Sequence, residues 1–286
     1  MSTVRLSTIK TVPMAETRTV LTTGANSGIG LATLIALARA GFDSVGSVRS
    51  AAKARSVRSA ATAAGVEIRT VLLDVREPEA CARVVARLKP WAVVNNAGYP
   101  ASGAIEDVGD AQARAAFETM VLAPMRLARL ALPHMRERGE GRIVNMSSIF
   151  GLATTPLTGW YQASKHALEA LSDALRVETA GFGVRVILVE PGGFDTGIWD
   201  EWHAETEGHA QSPYTTAYER LKSGINLSRP LMGHPDGVAK VVVKALQAKR
   251  PHVRYLVGYD AQAIALYNTL VPSQVQDRLA RLTLGL

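Results

Sequence analysis

Short runs of β-branched and apolar residues alternate with Ala-rich stretches whose apolar positions recur every three to four residues, from residue 18 almost to the end of the chain. The first pattern suits strands buried on both faces and the second suits amphipathic helices. Together they predict parallel strands joined by helical crossovers, an α/β class with a doubly wound sheet and helices on both faces. Candidate strands are 18–23, 45–48, 68–73, 91–95, 141–147, 184–189 and 253–257, about seven in all, and candidate helices include 28–40, 80–88, 113–138 and 162–179. The rhythm breaks over about 194–234, where Trp199, Trp202, Tyr214 and Tyr218 are mixed with Gly, Ser, Pro and acids. An insertion of this kind reads as a lid. Its aromatic residues either line an apolar pocket or pack the lid down, and both readings stay open. Its acids, Asp195, Asp200, Glu201, Glu205 and Glu207, read as a solvated face. Residues 1–15 read as a flexible N-terminal extension and 16–286 as one domain without internal repeats.

The composition narrows the class. With 47% hydrophobic and 20% charged residues the chain is neither disordered nor fibrous. No uncharged apolar stretch reaches membrane-spanning length, and the first 15 residues lack the apolar core of a secretory signal, so a cytoplasmic protein is expected. Cys81 is the one cysteine and reads as a small apolar filler. The formal net charge is +7, but the basic residues are scattered with no run of five, so nucleic acid is not an expected partner and an anionic cofactor is. Six histidines show no H-x-x-x-H or H-E-x-x-H spacing, so no metal site is expected.

The segment Thr22-Thr23-Gly24-Ala25-Asn26-Ser27-Gly28-Ile29-Gly30 follows a candidate strand and opens a candidate helix. Gly24 permits a tight turn, Gly28 lets backbone approach a pyrophosphate, and Gly30 lets the helix pack closely on the strand. The helix N-terminus offers unpaired N–H groups and a partial positive charge. Gly24, Asn26, Ser27, Gly28, Ile29 and Gly30 are therefore candidate dinucleotide-binding residues. At the end of the second strand stands Arg49, with no acid to bind ribose hydroxyls. A cation there favours a 2′-phosphate by about 1.5–3 kcal/mol, so NADP(H) is expected over NAD(H).

Tyr161-Gln162-Ala163-Ser164-Lys165 opens another helix, and its four-residue spacing puts the phenol and the ammonium on one face. Ionising a tyrosine near neutrality needs about 4 kcal/mol, which a cation some 4 Å away can supply, so Lys165 is expected to lower the Tyr161 pKa. Ser148 stands 13 residues before Tyr161, at the end of the fifth strand.

The G-x-x-x-G-x-G spacing, the Asn95-Asn96-Ala97-Gly98 run, the Ser148…Tyr161…Lys165 set and Pro191-Gly192-Gly193-Phe194-Asp195-Thr196 resemble the short-chain dehydrogenase/reductase family over residues 18 to about 258. The stretch 159–196 is most like its 17β-hydroxysteroid and retinol dehydrogenase branch. The resemblance implies a Rossmann-type fold in which Asp74 and Val75 meet the adenine, Asn96, Ala97 and Gly98 lie beneath the cofactor, and Pro191, Gly192, Phe194 and Thr196 hold the nicotinamide end. It also implies that Tyr161 gives or takes the substrate proton, Ser148 holds the substrate oxygen, and Lys165 orients the nicotinamide ribose. The expected protein is an NADP(H)-dependent homodimer or homotetramer, pairing through the long helices, that interconverts a bulky apolar alcohol and its carbonyl. One position departs from the family pattern. Met120 stands where the family places an asparagine that helps hold a water linking the lysine to solvent, and a thioether accepts hydrogen bonds only weakly. That departure keeps a second reading alive, a cofactor-binding sensor or scaffold with little turnover. An epimerase or dehydratase is disfavoured by the glycine spacing and the short C-terminal part.

Overall fold

The structure is a computed structural model that describes residues 18–209 and 211–286, and the expected N-terminal extension lies outside the described residues. Among these residues seven strands form one parallel sheet in the order β3-β2-β1-β4-β5-β6-β7. They are β1 (Thr19–Thr22), β2 (Asp43–Val48), β3 (Arg69–Leu72), β4 (Ala92–Asn95), β5 (Gly141–Met146), β6 (Val184–Pro191) and β7 (Arg254–Val257). The order reverses between β1 and β4, where two crossovers leave in opposite directions and a crevice opens at the strand C-termini. All of β4 and β5 and nearly all of β6 are buried, as befits central parallel strands covered on both faces.

Helices cover both faces. Leu37 of α1 (Gly28–Arg39) and Val238 and Val242 of α9 (Asp236–Gln247) pack with Val20, Val144, Ile187 and Val189 on one face. Cys81 and Val85 of α3 (Pro78–Leu88) and Leu127 and Ala131 of α5 (Ala123–Arg138) pack with Val93, Ile143 and Val186 on the other. Cys81 is the expected filler, fully buried, with its Sγ donating to the Val75 carbonyl at 3.3 Å.

The structure differs from the expected elements in four places. The stretch expected as one helix over 113–138 is α4 (Asp110–Phe117), a π-helical turn (Glu118–Leu122) and then α5. Pro124, in the first turn of α5, has no N–H to continue the ladder, and the wider turn before it carries Met120. The irregular insertion holds two helices, α7 (Ile198–Glu207) and α8 (Thr215–Ser228). Their buried residues are sparse, Trp202 and Thr206 in one and Ala217, Tyr218 and Ile225 in the other, so no strong apolar stripe marks them. Beyond the expected rhythm the chain adds α10 (Tyr259–Leu270) and α11 (Ser273–Leu284), and between β2 and β3 it adds α2 (Ala51–Ala63). Among the described residues no helix is long and apolar enough to cross a membrane.

Candidate active site

A cleft of about 680 Å3 opens at the strand C-termini, and every residue singled out for binding or chemistry lines it. Its floor is the β1–α1 turn. Gly24 has φ +63°, and a Cβ there would stand 2.8 Å from the Ala97 Cα. A Cβ on Gly30 would stand 2.2 Å from the Gly24 carbonyl oxygen, so only glycine permits this approach. The β1 and β4 ends are tied together. Backbone N–H groups of Asn96 and Ala97 donate to Thr23 Oγ1 at 2.9 and 3.0 Å, and the Asn96 amide donates to the Thr23 and Gly24 carbonyls at 3.0 and 3.2 Å. Ser27 caps α1 without a side-chain hydrogen bond and no acid stands in its first turn, leaving the helix N-terminus open to an anion.

The cleft wall at β2 and β3 is cationic. Arg49 is exposed and has no ion-pair partner among the described residues. Lys53 and Arg76 line the same wall and were not anticipated from sequence. Arg76 grips Asp74, its Nη2 donating to Oδ2 at 2.6 Å and its backbone N–H to Oδ1 at 3.0 Å, which holds the Asp74 carboxyl below the usual range. Asp74, expected to face an adenine, is thus already a charged acceptor with a fixed orientation.

The reacting end lies between β5 and α6 (Gly159–Thr179). Ser148 ends β5's extension and caps a short 3-10 turn, its Oγ accepting from the Phe150 N–H at 3.2 Å. Tyr161 sits in the first turn of α6 and Lys165 one turn later. The Lys165 Nζ stands 5.5 Å from the Tyr161 ring centroid and donates to the Met146 carbonyl at 2.8 Å.

The expected lowering of the Tyr161 pKa by Lys165 is not what this geometry produces. Burial pushes the phenol up, and the opposing influence is a hydrogen bond from Ser148. Lys165 is itself buried and brought down to about 8, so its charge is already costly, and it is directed at a carbonyl. Met120, in the π-helical turn, packs with Ala101, Ala116, Tyr99 and Tyr161 in a small apolar cluster.

The insertion contributes to both readings of its aromatic residues. Trp199 and Trp202 line the cleft. Tyr214 and Tyr218 pack the segment down with Ala104 and Leu157, and the Tyr218 hydroxyl donates to Asp107 at 2.7 Å and accepts from the Ala104 N–H at 2.6 Å. The expected solvated acidic face is divided. Asp195 and Asp200 are held by Arg229 at 2.9 and 2.7 Å. Glu201 and Glu205 line the cleft, and Glu205 accepts from the Ser102 N–H at 2.8 Å.

Comparison with known proteins agrees with this geometry. The family model for short chain dehydrogenase matches residues 18–207. An oxidoreductase of Bacillus subtilis strain 168, YusZ, is 33% identical over 261 residues, covering 88% of this chain and 93% of its own. Retinol dehydrogenase 8 of Bos taurus is 33% identical over 250 residues, covering 83% and 80%. Among solved structures, an actinorhodin polyketide ketoreductase variant determined with NADPH superposes with a TM-score of 0.75 at 27% identity, covering 88% of this chain and 98% of that one.

Proposed function

The chain belongs to the short-chain dehydrogenase family, oxidoreductases acting on CH–OH groups, and from that premise we propose an NADP(H)-dependent enzyme that uses Tyr161 as its acid and base on a largely apolar substrate. The observation that carries the reading is one cleft joining the glycine turn of β1 to Ser148, Tyr161 and Lys165. A nicotinamide cofactor fits this cleft, because the turn tolerates no Cβ, the α1 N-terminus is open, and the wall beyond it carries Arg49, Lys53 and Arg76. Gly24, Asn26, Ser27, Gly28, Ile29 and Gly30 would hold its pyrophosphate, Asp74 and Val75 its adenine, and Asn96, Ala97, Gly98, Pro191, Gly192, Phe194 and Thr196 its nicotinamide half. When bound, the cofactor supplies or accepts the hydride.

The protein's own contribution is proton handling and orientation. Ser148 holds the carbonyl oxygen beside the Tyr161 hydroxyl, and Tyr161 gives its proton to that oxygen as the carbon is reduced. A phenol kept protonated by burial suits reduction in particular. Arg49 selects the 2′-phosphate. Trp199, Trp202 and Ile198 on α7 suit a bulky apolar substrate, as the names retinol dehydrogenase and polyketide ketoreductase indicate for the relatives. The segment 194–234 serves as a lid, and the long helices α5 and α6 serve as the pairing surface of a cytoplasmic homodimer or homotetramer.

A panel of bulky ketones and aldehydes, followed by nicotinamide absorbance with NADPH and NADH, tests the reading. Turnover with NADPH is expected. The apolar packing of Met120 against Tyr161 favours the sensor reading instead, and tight NADPH binding without turnover of any carbonyl compound would establish it.

A further inference from the structure

Behind Lys165 the protein buries a second group of acids that the chemistry above leaves unused. Tyr161, Lys165 and Glu169 follow one another at four-residue steps along α6, so they lie in one row on that helix. Lys165 and Glu169 are 5% and 6% exposed, and Glu190 on β6 is fully buried. Arg254 on β7 faces three carboxyls. Its Nη2 donates to Glu169 Oε2 at 3.1 Å and to Asp173 Oδ2 at 2.6 Å, and its Nε stands 3.2 Å from Glu190 Oε1. One guanidinium serves two buried carboxylates, Glu169 and Glu190, besides the more exposed Asp173, so one of the buried pair keeps a proton.

The polar atoms around this group are short of partners. Glu169 Oε1, both Glu190 oxygens and Ser147 Oγ are buried without a hydrogen-bond partner among the described residues. Ser147 Oγ and Glu169 Oε1 crowd together against Gly151, where a Cβ would stand only 2.6 Å from the first and 3.3 Å from the second, so the two unpartnered atoms are close neighbours. Buried polar atoms left without partners call for a proton on one of them. On the other side of Tyr161, Met120 packs with Ala101, Ala116 and Tyr99. On the α6 side polar groups continue outward to Asp173, whose side chain is 40% exposed, and Arg254, at 31%.

We propose that Glu169 and Glu190, held by Arg254, form a proton store that refills Lys165 from solvent at the Asp173 rim, a role that rests on the assignment of Tyr161 and Lys165 to the chemistry above. In the reducing direction Tyr161 loses its proton to the substrate oxygen as the hydride reaches the carbon. The Lys165 ammonium restores that proton, and the resulting amine takes one from the Glu190 carboxyl by way of Glu169 and a water that bridges Glu169 to Lys165, whose own hydrogen bond in the resting protein is to the Met146 carbonyl. The Glu190 carboxylate then takes a proton from water at the rim. One proton enters for each hydride delivered, and no electrons move along the route.

The groups that set the Glu190 proton come from two elements, Glu169 and Asp173 from α6 and Arg254 from β7, while β5 places the uncharged Ser147 next to it. Burial and the neighbouring Glu169 push Glu190 up to about 7, and burial brings Lys165 down to about 8, so the two shifts run toward each other.

The test compares the unmodified protein with Glu190→Gln and Glu169→Gln. The pH profile of kcat is recorded with and without imidazole as a free proton donor, beside an infrared titration of the carboxylic acid C=O band in each resting protein. The expected band titrates close to pH 7 and is missing from Glu190→Gln. Both variants should lose on the order of tenfold in kcat with KM for NADPH within about twofold, and imidazole should restore most of the loss. A purely structural role predicts no rescue. Unchanged kcat, a loss that imidazole leaves in place, or an absent band would overturn the store. The band needs no turnover, so a protein that shows it but reduces no carbonyl compound overturns the oxidoreductase reading, and the relay with it, while leaving the shared proton in evidence. Should a Gln variant fail to fold, the infrared titration of the unmodified protein and its solvent deuterium isotope effect on kcat decide, and a missing band or an isotope effect of unity overturns the store.

Discussion

The two walls of the cleft are built from different materials. The wall at β1, β2 and β3 is backbone and cation, with a glycine turn that admits no side chain, a helix N-terminus, and Arg49, Lys53 and Arg76. It is tied to β4 by four hydrogen bonds through Thr23 and Asn96. The wall at α7 is side chain, with Trp199, Trp202, Glu201 and Glu205, and it is anchored by the buried Trp202 and Thr206 and by side-chain contacts: Glu205 on the Ser102 N–H, the Arg229 clamp on Asp195 and Asp200, Trp199 Nε1 on the Phe194 carbonyl, and His203 Nε2 at 3.2 Å from Asn226 Oδ1. A wall of backbone set by strand ends can hold one constant ligand in one pose. A wall of side chains on a short helix can be changed without disturbing the sheet, so substrate choice belongs there and cofactor choice does not.

Substitutions should separate the two walls. Arg49→Asp removes the cation and adds repulsion, and should weaken NADPH by about ten- to a hundredfold while NADH gains, with KM for the ketone little changed. Dissociation constants for both nucleotides measure this, and an unaltered NADPH affinity would take Arg49 out of the site. Glu205→Gln weakens a charge-assisted hydrogen bond at the α7 wall, and should raise KM for the ketone about fivefold, roughly 1 kcal/mol, leaving NADPH binding as it was. A matched loss of NADPH affinity would show that the walls are coupled. Arg229→Gln breaks an exposed clamp and should move KM for the ketone by less than about twofold. A large effect there would mean that the position of α7 rests on that pair.

The glycine turn and Arg49 are legible in the sequence, because glycines at fixed spacing and an arginine after a strand are local signals, whereas Lys53 and Arg76 of the same wall are not. The strands are legible for a related reason, since burial on both faces favours apolar, β-branched segments such as residues 186–189 of β6, even though β5 and β6 also carry Arg142, Asn145, Arg185 and Glu190. Other features depend on facts that spacing does not carry. Arg76 reaches Asp74 across a loop, two residues away, where no helical register announces a pair. α2 exposes most of its length and buries Ala54, Val57 and Ala61, too little for an apolar stripe. The π-helical turn at Glu118–Leu122 is a matter of backbone hydrogen-bond register. Glu169 and Glu190 stand far apart in the chain, and only the packing of α6 on β6 and β7 makes them neighbours of one arginine. The spacing puts Lys165 beside Tyr161, but its effect on the phenol does not follow from spacing, because burial acts on both groups and a carbonyl competes for the ammonium.

The central claim is that this cleft performs alcohol and carbonyl chemistry with Tyr161 as its proton donor, on a cofactor held in the same cleft by the glycine turn and the cationic wall. Tyr161→Phe removes one hydroxyl and no bulk, so NADPH affinity and turnover of the best ketone should be measured in the same preparation. The account predicts NADPH binding within about twofold of the unmodified protein and a fall in kcat of on the order of a hundredfold or more. Near-full turnover in that variant would contradict it.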